Sequence, residues 1–114
     1  MKRETLLNKL ILDLAEMIAL LGKDPSCRWA KKFESDLIAA KSVALSPIDP
    51  NAYASLSASI RSVYGGVGSF NDYVAGCYDP DTGRYTPFEW SDRLDQLSTT
   101  VFDGALALVA SQTK

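Results

Sequence analysis

The chain predicts an all-α fold, a four-helix bundle-like single domain over residues 1–114 with a short extra helix after a glycine-rich turn. Apolar residues recur at three- and four-residue steps in four separate segments, the spacing of one helix face. Proline, glycine and capping residues punctuate the boundaries between those segments. No alternating apolar and polar run extends beyond a few residues, so no strand is expected. With 46% hydrophobic and 23% charged residues, the composition suits one folded domain with its own core.

The first helix carries Leu7, Leu10, Leu14, Met17 and Leu21 on its buried side, with Ile11 and Ile18 widening the stripe. Lys9, Asp13 and Glu16 fall opposite, and Gly22 ends the helix where a left-handed residue is wanted. Asp24-Pro25 reads as an N-cap with proline at the first position of the second helix. Trp29, Phe33 and Leu37 mark that helix's buried side, with Ala30 and Ala40 nearby. Lys31, Lys32, Glu34, Asp36 and Lys41 form a mixed charged face, expected to be solvated and held by weak ion pairs. Ser46 to Pro50 is a linker ending in a second cap-and-proline start. The third helix then buries Tyr53, Leu56, Ile60 and Val63 or Tyr64, and stops at Gly65-Gly66. Asp79-Pro80-Asp81-Thr82-Gly83 is a turn. Thr86-Pro87-Phe88-Glu89 opens the last helix as a capping box, and Leu94, Leu97, Val101, Ala105 and Leu108 supply its core stripe. Phe102 and Val109 flank that stripe, and Gly104 marks a place for close helix contact.

Charge and chemistry narrow the function. The net charge is −2, with no basic stripe to neutralise phosphates, so nucleic acid is not an expected partner. Met1-Lys2-Arg3 before leucine-rich sequence imitates a signal peptide, but Lys9, Asp13 and Glu16 interrupt the apolar run. A cytoplasmic protein without a membrane span is therefore expected, with Cys27 and Cys77 as free thiols. Export by another signal would leave a bridge between them open.

The chain contains no histidine, which removes the commonest general base and metal ligand and every Ser-His or Cys-His nucleophile. Two isolated cysteines do not make a structural zinc site. Asp79 and Asp81 match the first two ligands of a calcium loop. Arg84 then stands where glycine is needed, and Trp90 where the bidentate glutamate belongs. No catalytic residues, no metal and no cofactor are expected.

Tyr64-Gly65-Gly66-Val67-Gly68-Ser69-Phe70-Asn71-Asp72-Tyr73 stands apart. No lysine follows the glycines and no strand precedes them, so neither phosphate-binding fingerprint fits. One reading is structural: glycines end the third helix, and Ser69 caps a short helix with Asp72 at its third position. The other makes Ser69, Asn71, Asp72 and Tyr73 a glycine-flanked corner shown to a partner, extended by Tyr78, Tyr85 and Trp90. The last three are equally suited to capping the open end of the helices.

The stretch Ile60-Arg61-Ser62-Val63-Tyr64-Gly65-Gly66-Val67-Gly68-Ser69-Phe70-Asn71-Asp72 resembles a signature of a family of small bacterial proteins, among them immunity proteins encoded beside antibacterial toxins. The resemblance is specific there, weaker over the first two helices and negligible at the C-terminus. It implies a non-catalytic protein that binds and neutralises a cognate protein toxin, through a surface often acidic where the toxin is basic. The alternatives are a structural or adaptor protein dimerising through the first helix's stripe, and a small ligand binder or enzyme using Asp72, Asn71 and Arg61.

Leu14→Asp should abolish the cooperative urea transition followed by circular dichroism, because a lone buried carboxylate has no partner. Asp72→Lys separates the two readings of the corner. Intact melting with lost partner binding marks an interface, and unfolding as severe as that of Leu14→Asp marks a structural corner.

Overall fold

Leu7, Leu10, Leu14, Met17 and Leu21 are all buried along α1 (Arg3–Leu21), and the rest of the molecule is built on that face. The computed structural model describes residues 2–45, 50–65 and 69–112. Three further helices follow, α2 (Trp29–Leu45), α3 (Pro50–Arg61) and α4 (Ser91–Gln112). Each helix packs on the next and α4 returns to α1, which closes the ring. Ser57 Oγ donates to the Ala105 carbonyl at 2.6 Å and Tyr64 Oη to the Ser98 carbonyl at 3.0 Å. Those two contacts run α3 and α4 antiparallel. Asp36 against Ser59 and Phe33 against Tyr64 do the same for α2 and α3. Glu16 on Arg93 and Leu10 on Gly104 set α1 against α4. A Cβ on Gly104 would come within 3.3 Å of Leu10 Cδ1, so the glycine permits the close helix contact expected of it.

The core matches the expected stripes of α1, α3 and α4: Tyr53, Leu56 and Ile60 from α3, and Leu94, Leu97, Val101, Ala105 and Leu108 from α4, are buried. In α2 the stripe is displaced. Phe33, Asp36 and Ala40 are buried, while Trp29 and Leu37 are only partly so. Asp36 and Lys32 therefore do not belong to a solvated charged face. Asp36 is 2% exposed, and both its oxygens accept from Lys32 Nζ at 2.9 Å. Ser59 joins them, donating its hydroxyl to Asp36 at 2.7 Å, while its carbonyl accepts from Lys32 at 3.1 Å. A buried carboxylate is tolerated only when paired in this way.

The boundaries depart from expectation in four places. Gly22 ends α1 at φ −66°, not left-handed, because Lys23 and Asp24 N–H groups bond back to Leu20 and Leu21 and tighten the last turn. Asp24 does not cap α2, which starts later at Trp29. Its carboxylate instead accepts the Ser26 N–H at 3.0 Å and the Ser26 hydroxyl at 2.7 Å, an Asx turn. Helix α3 ends at Arg61, and Gly65 takes φ 89° in the loop beyond it.

The fourth departure is a β-hairpin. Strands β1 (Gly76–Asp79) and β2 (Arg84–Pro87) pair antiparallel, with Gly76 opposite Pro87, Cys77 opposite Thr86, Tyr78 opposite Tyr85 and Asp79 opposite Arg84. Thr86-Pro87 thus lies in a strand rather than opening α4, which starts at Ser91. Among the described residues the fold is mostly helical, four helices with one small two-stranded sheet that the helical reading did not include. Of the expected linker, Ser46 to Asp49 lies outside the described residues, as do Gly66 to Gly68. Cys27 and Cys77 are free thiols.

Removing one member of the buried pair should show its role. Asp36→Ala should cost about 2–3 kcal/mol in urea unfolding, because it strands the Lys32 ammonium beside Ser59. Replacing both, as Lys32→Met with Asp36→Leu, should recover most of that loss.

Candidate functional site

The described residues on either side of positions 66–68 in the glycine-rich segment meet one another. The Phe70 N–H donates to the Val63 carbonyl at 2.8 Å and pins the two sides together. Gly65, with φ 89°, supplies the left-handed residue the reversal needs. Ser69, extended at φ −83° and ψ 177°, caps a single 3-10 turn (Phe70–Asp72) by accepting the Asn71 N–H at 3.2 Å. The expected cap is therefore present, and the short helix it opens is a single 3-10 turn.

The turn drives Phe70 inward. It is 4% exposed, and its ring meets Phe33 at 4.9 Å, Tyr64 at 5.6 Å, Trp29 at 6.0 Å and Tyr73 at 6.1 Å between centroids. The first three contacts are edge-on, the arrangement aromatic quadrupoles favour. Tyr73 follows and donates its hydroxyl to Asp24 Oδ2 at 2.7 Å, tying this segment to the α1–α2 turn. The Tyr73 hydrogen bond, opposed by burial and aided by Ser26, holds the Asp24 carboxyl below its ordinary range. Burial and the same bond raise the Tyr73 phenol above its own. The pair is ionised acceptor with neutral donor across the whole middle of the pH scale.

The expected partner-binding residues therefore divide. Ser69 and Tyr73 serve the fold, as cap and as tether. Asn71 is exposed, while the Asp72 side chain lies outside the described residues. Trp90 stacks on Phe88 at 5.1 Å, and both pack against the core. Tyr78 and Tyr85 go elsewhere, onto the hairpin. Its root is fixed by the Phe88 N–H donating to the buried Ala75 carbonyl at 2.9 Å. Beyond the root, every residue from Cys77 to Pro87 is exposed. Asp79 organises the tip, accepting the Asp81 N–H at 2.9 Å, the Thr82 hydroxyl at 3.1 Å and, through its carbonyl, the Gly83 N–H at 2.8 Å. Tyr85 lies across Gly76, where a Cβ would collide with its ring and with the Thr86 carbonyl. Tyr78, opposite it, remains 61% exposed.

A groove runs between this loop and α4. One hollow of about 350 Å³ is lined by Tyr64, Gly65, Asn71, Ser98, Thr99 and Phe102. A second of about 250 Å³ adjoins it through Asn71, Ser98 and Thr99, and adds Phe70, Tyr73, Leu94 and Asp95. Asn71 was expected at the site. The α4 residues were not, because their spacing is the ordinary one of a helix face beside a core stripe. Arg61 does not line the groove; its Nε donates to Ser57 Oγ at 3.0 Å.

Burial pushes the Tyr64 phenol up to about 12, and its hydroxyl is committed to the Ser98 carbonyl. Among the described residues, no three cysteine, aspartate or glutamate side chains come together as a metal site. No helix among them is long and apolar enough to cross a membrane. Charge is unevenly distributed along the chain. From Phe70 onward there are seven acidic residues and three basic ones, while the preceding sequence carries a small basic excess.

A family model described as a domain of unknown function (DUF6966) matches residues 22–77, from the end of α1 through the glycine-rich loop into β1. No curated protein and no solved structure matches the chain.

Asp24 makes stability depend on acid. Its folded pKa lies below the ordinary 3.8, so its contribution is complete above that value and is lost as pH falls through the depressed one. Tyr73→Phe should cost about 1.5 kcal/mol at pH 7. The gap between wild type and variant should narrow below about pH 4 as Asp24 protonates, read from urea midpoints taken at several pH values.

Proposed function

We propose that this chain is an immunity-type binding protein, which neutralises a cognate bacterial toxin by occupying it and carries out no reaction itself. The observation that supports this best is the hairpin. A two-stranded ribbon is marginal on its own, and one exposed from Cys77 to Pro87 adds little to the core. Tyr78 stands 61% exposed opposite Tyr85, whose ring lies back across Gly76, on a ribbon that extends beyond a body already closed by four helices. Tyrosines on a rigid projection are favourable anchors for a partner, since they bring large contact area at small entropic cost.

The body suits a scaffold of this kind. The ring of antiparallel helices is bundle-like, and Phe70 and the Asp24–Tyr73 tether fix the root from which the hairpin departs. The absence of histidine and the commitment of Tyr64 and Asp24 to structural hydrogen bonds also favour binding over catalysis. The resemblance of residues 60–72 to an immunity-family signature gives the partner its class, a protein toxin encoded beside this gene.

Co-expression with that toxin tests the proposal. Wild type should restore growth and co-purify with the toxin. Tyr78→Ala with Tyr85→Ala should lose at least about tenfold in affinity while melting within a few degrees of wild type. Neither protection nor binding by wild type would overturn the proposal.

A further inference from the structure

The groove beside the glycine-rich loop has a chemistry of its own. Along α4 it is lined by Asp95, Ser98, Thr99 and Phe102, at steps of three, one and three residues, which place all four on one helix face. That face is about 10 Å long, at 1.5 Å per residue from Asp95 to Phe102. The opposite wall carries Gly65 and Asn71, with Asn71 lining both hollows. At one end the floor is aromatic, Tyr64 and Phe102 tilted at 58° with centroids 5.0 Å apart. At the other the wall carries Asp95. Among the described lining residues Asp95 brings the only ionisable carboxylate, and no lysine or arginine lines either hollow.

Aromatic faces, a carboxylate, hydroxyls and an amide in a row are what a guanidinium is recognised by. The planar cation stacks on the rings, and its N–H fork bonds to the carboxylate and oxygens. The length of the trench matches a peptide better than a compact small molecule. In an extended segment, side chains two residues apart stand about 6.6 Å from one another on the same side, a spacing shorter than the α4 face that lines the groove. The basic residue nearest in sequence on α4, Arg93, is already taken by a bidentate pair with Glu16, at 2.6 and 2.7 Å. Asp95 therefore meets no lysine or arginine among the described residues that line the groove.

We propose that this groove is a docking site for an extended, arginine-bearing segment of the protein partner, with one arginine against Asp95 and a second over the Tyr64–Phe102 floor. The inference rests on the binding-protein reading and assigns that partner a basic chemistry and a second point of attachment, distinct from the hairpin.

The probe is an end-blocked pentapeptide with alternating alanine and arginine, two arginines in all, titrated into the ¹⁵N-labelled full chain. The Asn71 side-chain amide and the backbone amides of Ser98, Thr99 and Phe102 should shift together. Asp95→Lys, at an exposed position, should weaken the effect by about tenfold without changing the fold, and so should moderately high salt. The Tyr78→Ala, Tyr85→Ala variant should bind the peptide as wild type does. Shifts mapping elsewhere, equal shifts from the glutamate counterpart, equal shifts from free arginine, or indifference to Asp95→Lys would each overturn the docking site. The outcome is separable from that of the broader proposal. Peptide binding without toxin protection keeps the groove and sinks the immunity reading, whereas protection that survives Asp95→Lys sinks the groove alone.

Discussion

The insertion of Phe70 among Trp29, Phe33, Tyr64 and Tyr73 is the contact on which the rest of the structure depends. It is reached by a loop that leaves α3, reverses through Gly65 and returns to bond Val63 to Phe70. With the ring buried, the residues around it have little choice. Asn71 is turned outward, Tyr73 is brought to Asp24, and the chain is delivered to Ala75, where the hairpin is rooted. Truncating such a ring costs about 3–5 kcal/mol in a typical core, comparable with the whole stability of a small domain. The loop is thus both a structural joint and the origin of the two outward features, hairpin and groove.

Much of this was legible in the sequence where one physical signal acted alone. The stripe of α1 was clear because Leu7, Leu10, Leu14, Met17 and Leu21 are apolar, evenly spaced and opposed by charges. In α2 the same procedure slipped, since Asp36 is buried by its pairing with Lys32 and Ser59, and an apolar pattern does not register a satisfied carboxylate. Thr86-Pro87-Phe88-Glu89 was a strong local helix-start signal that strand pairing overrode, with Thr86 placed opposite Cys77. The strands themselves are four residues each, too short to show a period.

The site was legible as a region and less so as residues. Glycines and Ser69 mark the loop in the sequence, and Tyr78 and Tyr85 stand there as aromatic residues beyond it. Phe70 carries no such mark, because a single aromatic residue between Ser69 and Tyr73 shows no period. The groove needed the antiparallel placement of α3 and α4, which brings Tyr64 to Ser98 and Phe102 across a sequence gap no local pattern spans. Along the segment and the hairpin, Ser69, Phe70 and Tyr73 hold the fold, while Asn71, Tyr78 and Tyr85 are exposed.

Hydrogen–deuterium exchange on the purified complex with the proposed toxin partner tests the central claim most directly, because it reports which backbone is covered. The account predicts new protection over residues 77–87, which are exposed in the free chain, and along the α4 face from Asp95 to Phe102, with the outer faces of α1 and α2 unchanged. Protection confined to α1 and α2, with the hairpin exchanging as freely as before, would contradict it.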